Sequence, residues 1–198
     1  MNYQFYQGST SPFVRKVRIL LEELNLMDQV ELVVGLDPEK LEQHPNPLIK
    51  IPALITPDAG IIYDSTVIAE YLDHKFAPGK YFPKNFSARL KVLVQHALVV
   101  GAIEACVAIV YEKRRPSNLQ SAEFMEKQKL KVVRSIKALA PLTDYFTRNW
   151  NLDTIALICF LDYLDFRFPG EYDCEEYKIL KAWRATVKNE AVDKTMPQ

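Results

Sequence analysis

The chain changes character near residue 80, and that change limits the folds open to it. Four of its six glycines and seven of its twelve prolines fall in residues 1–80. The rest is glycine-poor, with apolar residues recurring three and four apart. Charge shifts at the same place. Residues 1–80 hold 7 Lys+Arg against 11 Asp+Glu, a net of −4, and residues 81–198 hold 18 against 14, a net of +4. The boundary reads Ala77-Pro78-Gly79-Lys80-Tyr81-Phe82-Pro83, a turn-rich segment. A length of 198 residues accommodates two small domains. The expected division is residues 1–77, a linker at 78–84, and a second domain at 85–198.

Two periodicities alternate in the first part. Tyr3 to Tyr6 is a short aromatic strand. Ser11-Pro12 is a helix start, with a hydroxyl placed to accept a free amide and a proline where no N–H is needed. Val14, Val17, Leu21 and Leu24 give the helix 12–24 one apolar face. Val30 to Val34 is a strand, Pro38 to Gln43 a short helix, Ala53 to Ile55 a strand and Ile61 to Tyr63 its hairpin partner across the turn at 57–60. Ser65 to Phe76 is a helix with Ile68, Leu72 and Phe76 on one side. The order βαβαββα implies a parallel pair at the start and antiparallel strands at the hairpin.

The second part is read as all-helical, near 86–114, 120–147, 153–166, 175–186 and 188–195, with Pro141 breaking the second of these. Leu98 to Tyr111 is apolar on nearly every face except at Glu104, so its helix is expected to be central or to form a subunit interface. That stretch is too short and too polar to span a bilayer. The opening Met1-Asn2-Tyr3-Gln4 lacks the basic-then-apolar order of a secretory leader. Twenty-five basic and 25 acidic residues cancel, which speaks against a nucleic-acid partner. Lys127, Lys129, Lys131, Arg134 and Lys137 read as a solvated helix face. Cys106, Cys159 and Cys174 are too far apart for a Cys-x-x-Cys site or a disulfide framework, and His44, His74 and His96 lack metal-ligand spacing. No metal, membrane or nucleic acid is expected, and a reducing cytoplasm is the expected home.

Three short motifs offer chemistry. Ser9-Thr10-Ser11-Pro12-Phe13 puts three hydroxyls at a helix start, where free amides and the dipole favour an anion. The same Ser11 has a local use as a cap. Lys50-Ile51-Pro52 precedes a strand. Trans is the commoner form of such a bond, whereas a cis bond would turn the Ile51 amide and carbonyl outward to pair with another backbone. Asp64-Ser65 opens a helix straight after a strand. Its amide and hydroxyl suit a carboxylate and its acid an ammonium, the two ends of an amino acid, although capping alone would also place an Asp there.

In this order the motifs resemble those of the cytosolic glutathione transferases. Ser-Pro-Phe-Val-Arg-Lys-Val-Arg at 11–18, Asn46-Pro47, Lys50-Ile51-Pro52-Ala53-Leu54 and Asp64-Ser65-x-x-Ile68-x-x-Tyr71-Leu72 carry the likeness, and the helical remainder is similar to that family's second domain. The helix-start motif holds neither tyrosine nor cysteine and is similar to the serine-type members, tau- or zeta-like or bacterial.

The resemblance implies a thioredoxin-like domain followed by an all-helical bundle, a homodimer, and glutathione as cosubstrate in conjugating a small hydrophobic electrophile, with a role in detoxification. It implies that Ser65 meets the γ-glutamyl carboxylate, Asp64 the ammonium, Ile51 before a cis Pro52 the cysteinyl backbone, and Lys50 the glycyl carboxylate. The sulfur would sit at the turn carrying Ser9 and Ser11. Both serines stand as its partner, with Ser11 favoured because it directly precedes the helix. An electrophile pocket between the domains would draw on Phe13, Tyr111, Arg114 and Arg115, although Lys113-Arg114-Arg115 also fits a plain solvated helix end. Two alternatives stay open: reduction of a peroxide or mixed disulfide by glutathione, and a non-catalytic protein-binding module of the same fold. In the second domain, Asn151 is expected to cap a helix in which Thr154 replaces the family's usual acid.

Overall fold

The computed structural model describes residues 3–197. Met1 and Asn2 of the segment read for a leader, and Gln198 of the expected helical domain, lie outside the described residues. The chain forms two compact units, Met1–Lys84 with Asn189–Gln198, and Asn85–Lys188.

The first unit has a sheet in the order β2-β1-β3-β4, built from β1 (Tyr3–Gln7), β2 (Val30–Val34), β3 (Ala53–Thr56) and β4 (Gly60–Ile62). β1 pairs parallel with β2, Phe5 opposite Leu32, and antiparallel with β3, Phe5 opposite Leu54. β3 and β4 form the expected hairpin. α1 (Pro12–Glu23) and α2 (Ser65–Phe76) pack on each other, and Phe5, Leu54, Val17, Leu21, Ile68 and Leu72 are buried. The element order is the one that the alternating periods predict, with the expected helix at 38–43 realised as a 3-10 helix, Pro38–Gln43, and the arrangement is the thioredoxin-like one that the resemblance implies.

Two features of this unit depart from the sequence reading. α1 is buried on more than its apolar face, since Arg15 and Lys16 are also inside. The cause is the chain's far end. α8 (Glu190–Lys194) packs against α1, and Arg15 Nη2 donates to the Val192 carbonyl at 3.2 Å. Asn189 caps α8 through the Val192 amide and also donates to Glu23 Oε1 at 2.7 Å. Residues 189–198, read as part of the helical domain, therefore belong to the first unit. The second departure is the linker, which is pinned. Asp73 accepts the amides of Gly79 (3.0 Å) and Tyr81 (2.6 Å), and Tyr81 and Phe82 are fully buried.

The second unit is helical: α3 (Phe86–Lys113), α4 (Ala122–Leu139), α5 (Thr143–Arg148), α6 (Leu152–Arg167) and α7 (Glu175–Thr186). Pro141 separates α4 from α5 through one 3-10 turn, Ala140–Leu142, because a proline interrupts the i to i−4 ladder. The helix enclosed on every side is α6, buried from Leu152 to Leu164, and not α3. α3 packs one face on α4 and α6 and leaves Phe86, Leu90 and Val94 exposed, and Glu104 lies on its exposed surface. At 28 residues α3 is long and apolar enough to cross a bilayer by length and composition. The sequence reading judged only its apolar centre; less than half of its apolar stretch is buried, on the side that packs on α4 and α6.

The start of α6 also differs from expectation. Asn151 makes no capping hydrogen bond. Thr154 Oγ1 donates to the Asn149 carbonyl at 2.7 Å, and Asp153 accepts the Thr154 amide at 2.9 Å and the Tyr145 hydroxyl at 2.8 Å. An acid one residue earlier thus serves the helix start. Lys127, Lys131, Arg134 and Lys137 of α4 are exposed, with Lys127 paired to Glu123 at 2.8 Å and Lys129 to Glu126 at 2.9 Å, so that face is a solvated one.

Candidate functional site

Two of the chemistry-bearing motifs of the first unit, the turn before α1 and Lys50-Ile51-Pro52, meet at Ile51. β1 ends at Gln7 and the chain turns through Gly8–Ser11, closed by the Ser11 amide donating to the Gly8 carbonyl at 3.1 Å. Ser11 then caps α1, its Oγ accepting the Val14 amide at 3.3 Å and its carbonyl the Arg15 amide. Among the described residues no group accepts the Ser11 O–H. Pro12 has no N–H, so Phe13, half-buried, contributes the unpartnered amide of the first turn. Ser9 is exposed and held by no hydrogen bond among the described residues. A hydroxyl hydrogen and a helix-start amide therefore remain at the mouth of α1, a pair suited to an anion.

Ile51 lies against this turn because two glycines make room for it. A Cβ on Gly8 would stand 2.9 Å from Ile51 Cδ1, and one on Gly35 would overlap Ile51 Cγ2 while sitting 3.1 Å from the Gln7 nitrogen. Neither glycine has an unusual φ, so the requirement is close approach alone. The Ile51–Pro52 bond is cis. No turn, cap or loop hydrogen bond among the described residues uses the Ile51 amide or carbonyl. Buried Asn46 shapes the loop before it, donating to the Lys50 carbonyl at 2.9 Å and accepting the Leu48 amide at 3.0 Å. Lys50 is exposed and Pro52 buried. The sequence reading singled out Asn46 but passed over Gly8 and Gly35, whose role no local pattern reveals.

At the start of α2, Asp64 is the cap. One carboxylate oxygen, Oδ1, accepts the Thr66 amide at 2.8 Å and the Val67 amide at 3.4 Å, which leaves Oδ2 for a ligand. Ser65 is buried, and its hydroxyl makes no hydrogen bond among the described residues. Capping and ligand binding are thus compatible, because capping uses one acceptor oxygen and leaves the second carboxylate oxygen and the serine donor.

The remaining predicted residues belong to the helical unit. Tyr111 is exposed, with Arg114 over its ring at 5.5 Å. Arg115 is committed to Glu112 at 2.9 Å and 3.1 Å, and Lys113 to Glu171 at 2.7 Å. Cys106 and Cys159 are buried and Cys174 half-buried, all free, and burial pushes the Cys106 thiol up to about 12. No group of three or more potential ligands that would hold a metal occurs among the described residues.

Residues 10–75 match the model of the glutathione S-transferase N-terminal domain. The chain is 34% identical over 161 residues to the GST-like protein YibF of Escherichia coli K12, a match covering 80% of each. A glutathione transferase family member of Pseudomonas fluorescens Pf-5, crystallised with bound glutathione, is 30% identical over the whole of both chains, with a TM-score of 0.92. A Pf-5 family member has also been crystallised with S-(propanoic acid)-glutathione. The glutathione S-transferase of Methylobacillus flagellatus KT, with glutathione bound, is 33% identical over both full chains, with a TM-score of 0.89.

Proposed function

This chain is a member of the glutathione S-transferase family, and from that premise we propose that it binds glutathione on its first unit, holds the sulfur as a thiolate through the Ser11 hydroxyl, and conjugates it to a small electrophile. The glutathione carried by its relatives supports the first step. The tripeptide lies extended, its γ-glutamyl carboxylate on Ser65, its ammonium on Asp64 Oδ2, its cysteinyl backbone on Ile51 and its glycyl carboxylate near Lys50. The S-carboxyalkyl glutathione bound by a relative is consistent with room for a conjugate.

One observation carries the reading. The Ser11 oxygen uses a lone pair to cap α1 and keeps its hydrogen. Capping also holds that oxygen in place, whereas Ser9 makes no hydrogen bond among the described residues. A cysteine thiol has a pKa of about 8.5, so only ~3% is ionised at neutral pH. Lowering it by about two units makes the thiolate dominant and needs about 2.7 kcal/mol. A hydrogen bond to a charged group contributes about 1.5–3 kcal/mol, and the Phe13 amide at the helix start adds to it. The serine is therefore a donor and the nucleophile is glutathione. The thiol proton leaves to solvent, the sulfur lone pair forms the C–S bond, and a leaving group such as chloride departs with its bonding pair. Because no cysteine stands at the α1 start, conjugation is favoured over a disulfide mechanism. A homodimer belongs to the same reading, with the exposed strip Phe86, Leu90 and Val94 of α3 as the apolar surface a second copy would cover.

The test is the ultraviolet thiolate band of bound glutathione in Ser11→Ala and Ser11→Asp. The Asp variant keeps the cap and loses the donor. Both are expected to raise the thiol pKa towards its free value and to slow conjugation of a chloronitrobenzene about ten- to a hundredfold. An unchanged band in both variants, with Ser9→Ala abolishing it, transfers the role to Ser9. An unchanged band in all three defeats the mechanism.

A further inference from the structure

The β3–β4 hairpin is tied to α2 by side chains that the hairpin itself does not need. Its turn closes without them: Thr56 Oγ1 accepts the Ala59 amide at 2.9 Å and donates to the Gly60 carbonyl at 3.1 Å. Asp58, in the middle of that turn, reaches α2 instead. Its Oδ1 accepts the Tyr71 hydroxyl at 2.6 Å and its Oδ2 the Lys75 ammonium at 2.7 Å. Lys75 Nζ also donates to the Tyr71 oxygen at 2.9 Å, so the three side chains close a ring. Tyr71 and Lys75 stand four apart and share one face of α2. β1 meets the same group. The Tyr3 hydroxyl lies 3.5 Å from that of Tyr71, and Lys75 Nζ stands 5.7 Å, 5.3 Å and 5.6 Å from the centres of the Tyr3, Tyr71 and Phe76 rings.

The chain between these two anchors carries Asp64 and Ser65. From Asp58 it runs along β4, an edge strand of three residues paired with β3, passes Tyr63 and enters α2. So short an edge strand offers little to hold the start of a helix. Tyr71 stands about 9 Å up the axis from Ser65, and helical side chains lean back towards the N-terminus. An isolated exposed ion pair contributes little, but here one carboxylate takes a charged and a neutral donor that are bonded to each other. Lys75, and then Tyr71, hold the Asp58 carboxyl below the usual carboxylate range. Burial, then Asp58, push the Tyr71 phenol up to about 12. The acid is ionised and the phenol protonated around neutral pH, so the ring stays closed there.

We propose that Asp58, Tyr71 and Lys75 are positioning residues, a brace that fixes the start of α2 against the hairpin so that Ser65 and Asp64 Oδ2 meet the carboxylate and ammonium of the γ-glutamyl group. This role rests on the glutathione-binding reading above. The brace acts on one end of the tripeptide. The proposed sulfur partner, Ser11, belongs to α1 and is held by the Val14 amide. Affinity for glutathione and ionisation of its thiol are therefore separable.

The experiment uses the full chain and compares wild type with Asp58→Ala, Asp58→Asn, Tyr71→Phe and Lys75→Met. Calorimetric titration gives the glutathione dissociation constant, the ultraviolet band gives the bound thiolate, and conjugation of a chloronitrobenzene gives KM and kcat. Asp58→Ala is expected to raise the dissociation constant and the KM for glutathione about three- to tenfold, the net worth of about one hydrogen bond. The thiolate band at saturation and kcat should stay at their wild-type values. Asp58→Asn still accepts from Tyr71 and should recover part of the loss. Tyr71→Phe keeps the ring and should show the cost of its hydroxyl alone, and Lys75→Met that of the ammonium. In hydrogen exchange of the free protein, the Thr66 and Val67 amides held by Asp64 should exchange faster in Asp58→Ala, with α1 unchanged. Unchanged affinity in both Asp58→Ala and Tyr71→Phe, in a wild type that binds glutathione, overturns the brace alone. A thiolate band and kcat that fall as far as the affinity also overturn it, since they mark general damage to the unit. A wild-type chain that binds no glutathione defeats the reading on which the brace rests.

Discussion

Asp153 makes the helical unit's stability depend on pH in a direction opposite to that of most paired carboxylates. It is completely buried at the start of α6, and burial pushes its carboxyl up to about 6, against the opposing hydrogen bonds from Tyr145 and the Thr154 amide. Burial, then Asp153, push the Tyr145 phenol up to about 12. An unfolded chain returns the acid to about 3.8. The native state therefore holds this proton more tightly. The associated stability is complete below about pH 4, declines as pH rises, and is lost above about pH 6. A difference of about two units at about 1.4 kcal/mol each amounts to about 3 kcal/mol. Asp153→Asn removes the titration and keeps the shape, since the amide oxygen accepts the Thr154 N–H and the amide nitrogen donates to the Tyr145 oxygen. Urea unfolding of variant and wild type, followed by circular dichroism at about pH 4 and about pH 8, isolates the effect, because all other groups cancel in the difference. The variant should gain about 2–3 kcal/mol on the wild type between these two pH values. A difference that stays flat, or moves the other way, refutes the claim that a buried, reluctantly ionised acid starts α6.

Other expectations follow from single contacts. Gly35→Ala should push Ile51 out of place, cost about 1–3 kcal/mol and weaken retention on immobilised glutathione; full retention would refute the glycine cradle. Asn189→Ala should cost about 1 kcal/mol and speed proteolysis within residues 189–198, read by mass spectrometry, and an unchanged rate would mean that Asn189 does not hold the tail. Arg184 binds Asp162 through Nε at 2.9 Å and Nη2 at 2.9 Å, with both side chains largely buried. Arg184→Leu should destabilise by about 3–5 kcal/mol and the double variant with Asp162→Leu by much less; equal losses in thermal melts would show that the unpaired acid is not the cause.

Much of this protein was legible along the chain because the signals are local. Ser11-Pro12 starts α1, Asp64 caps α2, Val30–Val34 is a strand, and Pro141 divides two helices, each through a backbone constraint spanning a few residues. The order of these elements determined the βαβαββα unit and placed Ile51 just before a strand and Asp64 and Ser65 between a strand and a helix, where ligands meet free backbone groups. Only the tertiary structure decided what lies far apart in sequence. It brought residues 189–198 back onto α1 and so buried Arg15. It made α6 rather than α3 the enclosed helix and seated Ile51 on Gly8 and Gly35. Periodicity reports which face of an element is apolar, but which element covers it, and which charges are left without a counterpart, depends on packing between segments that share no local pattern.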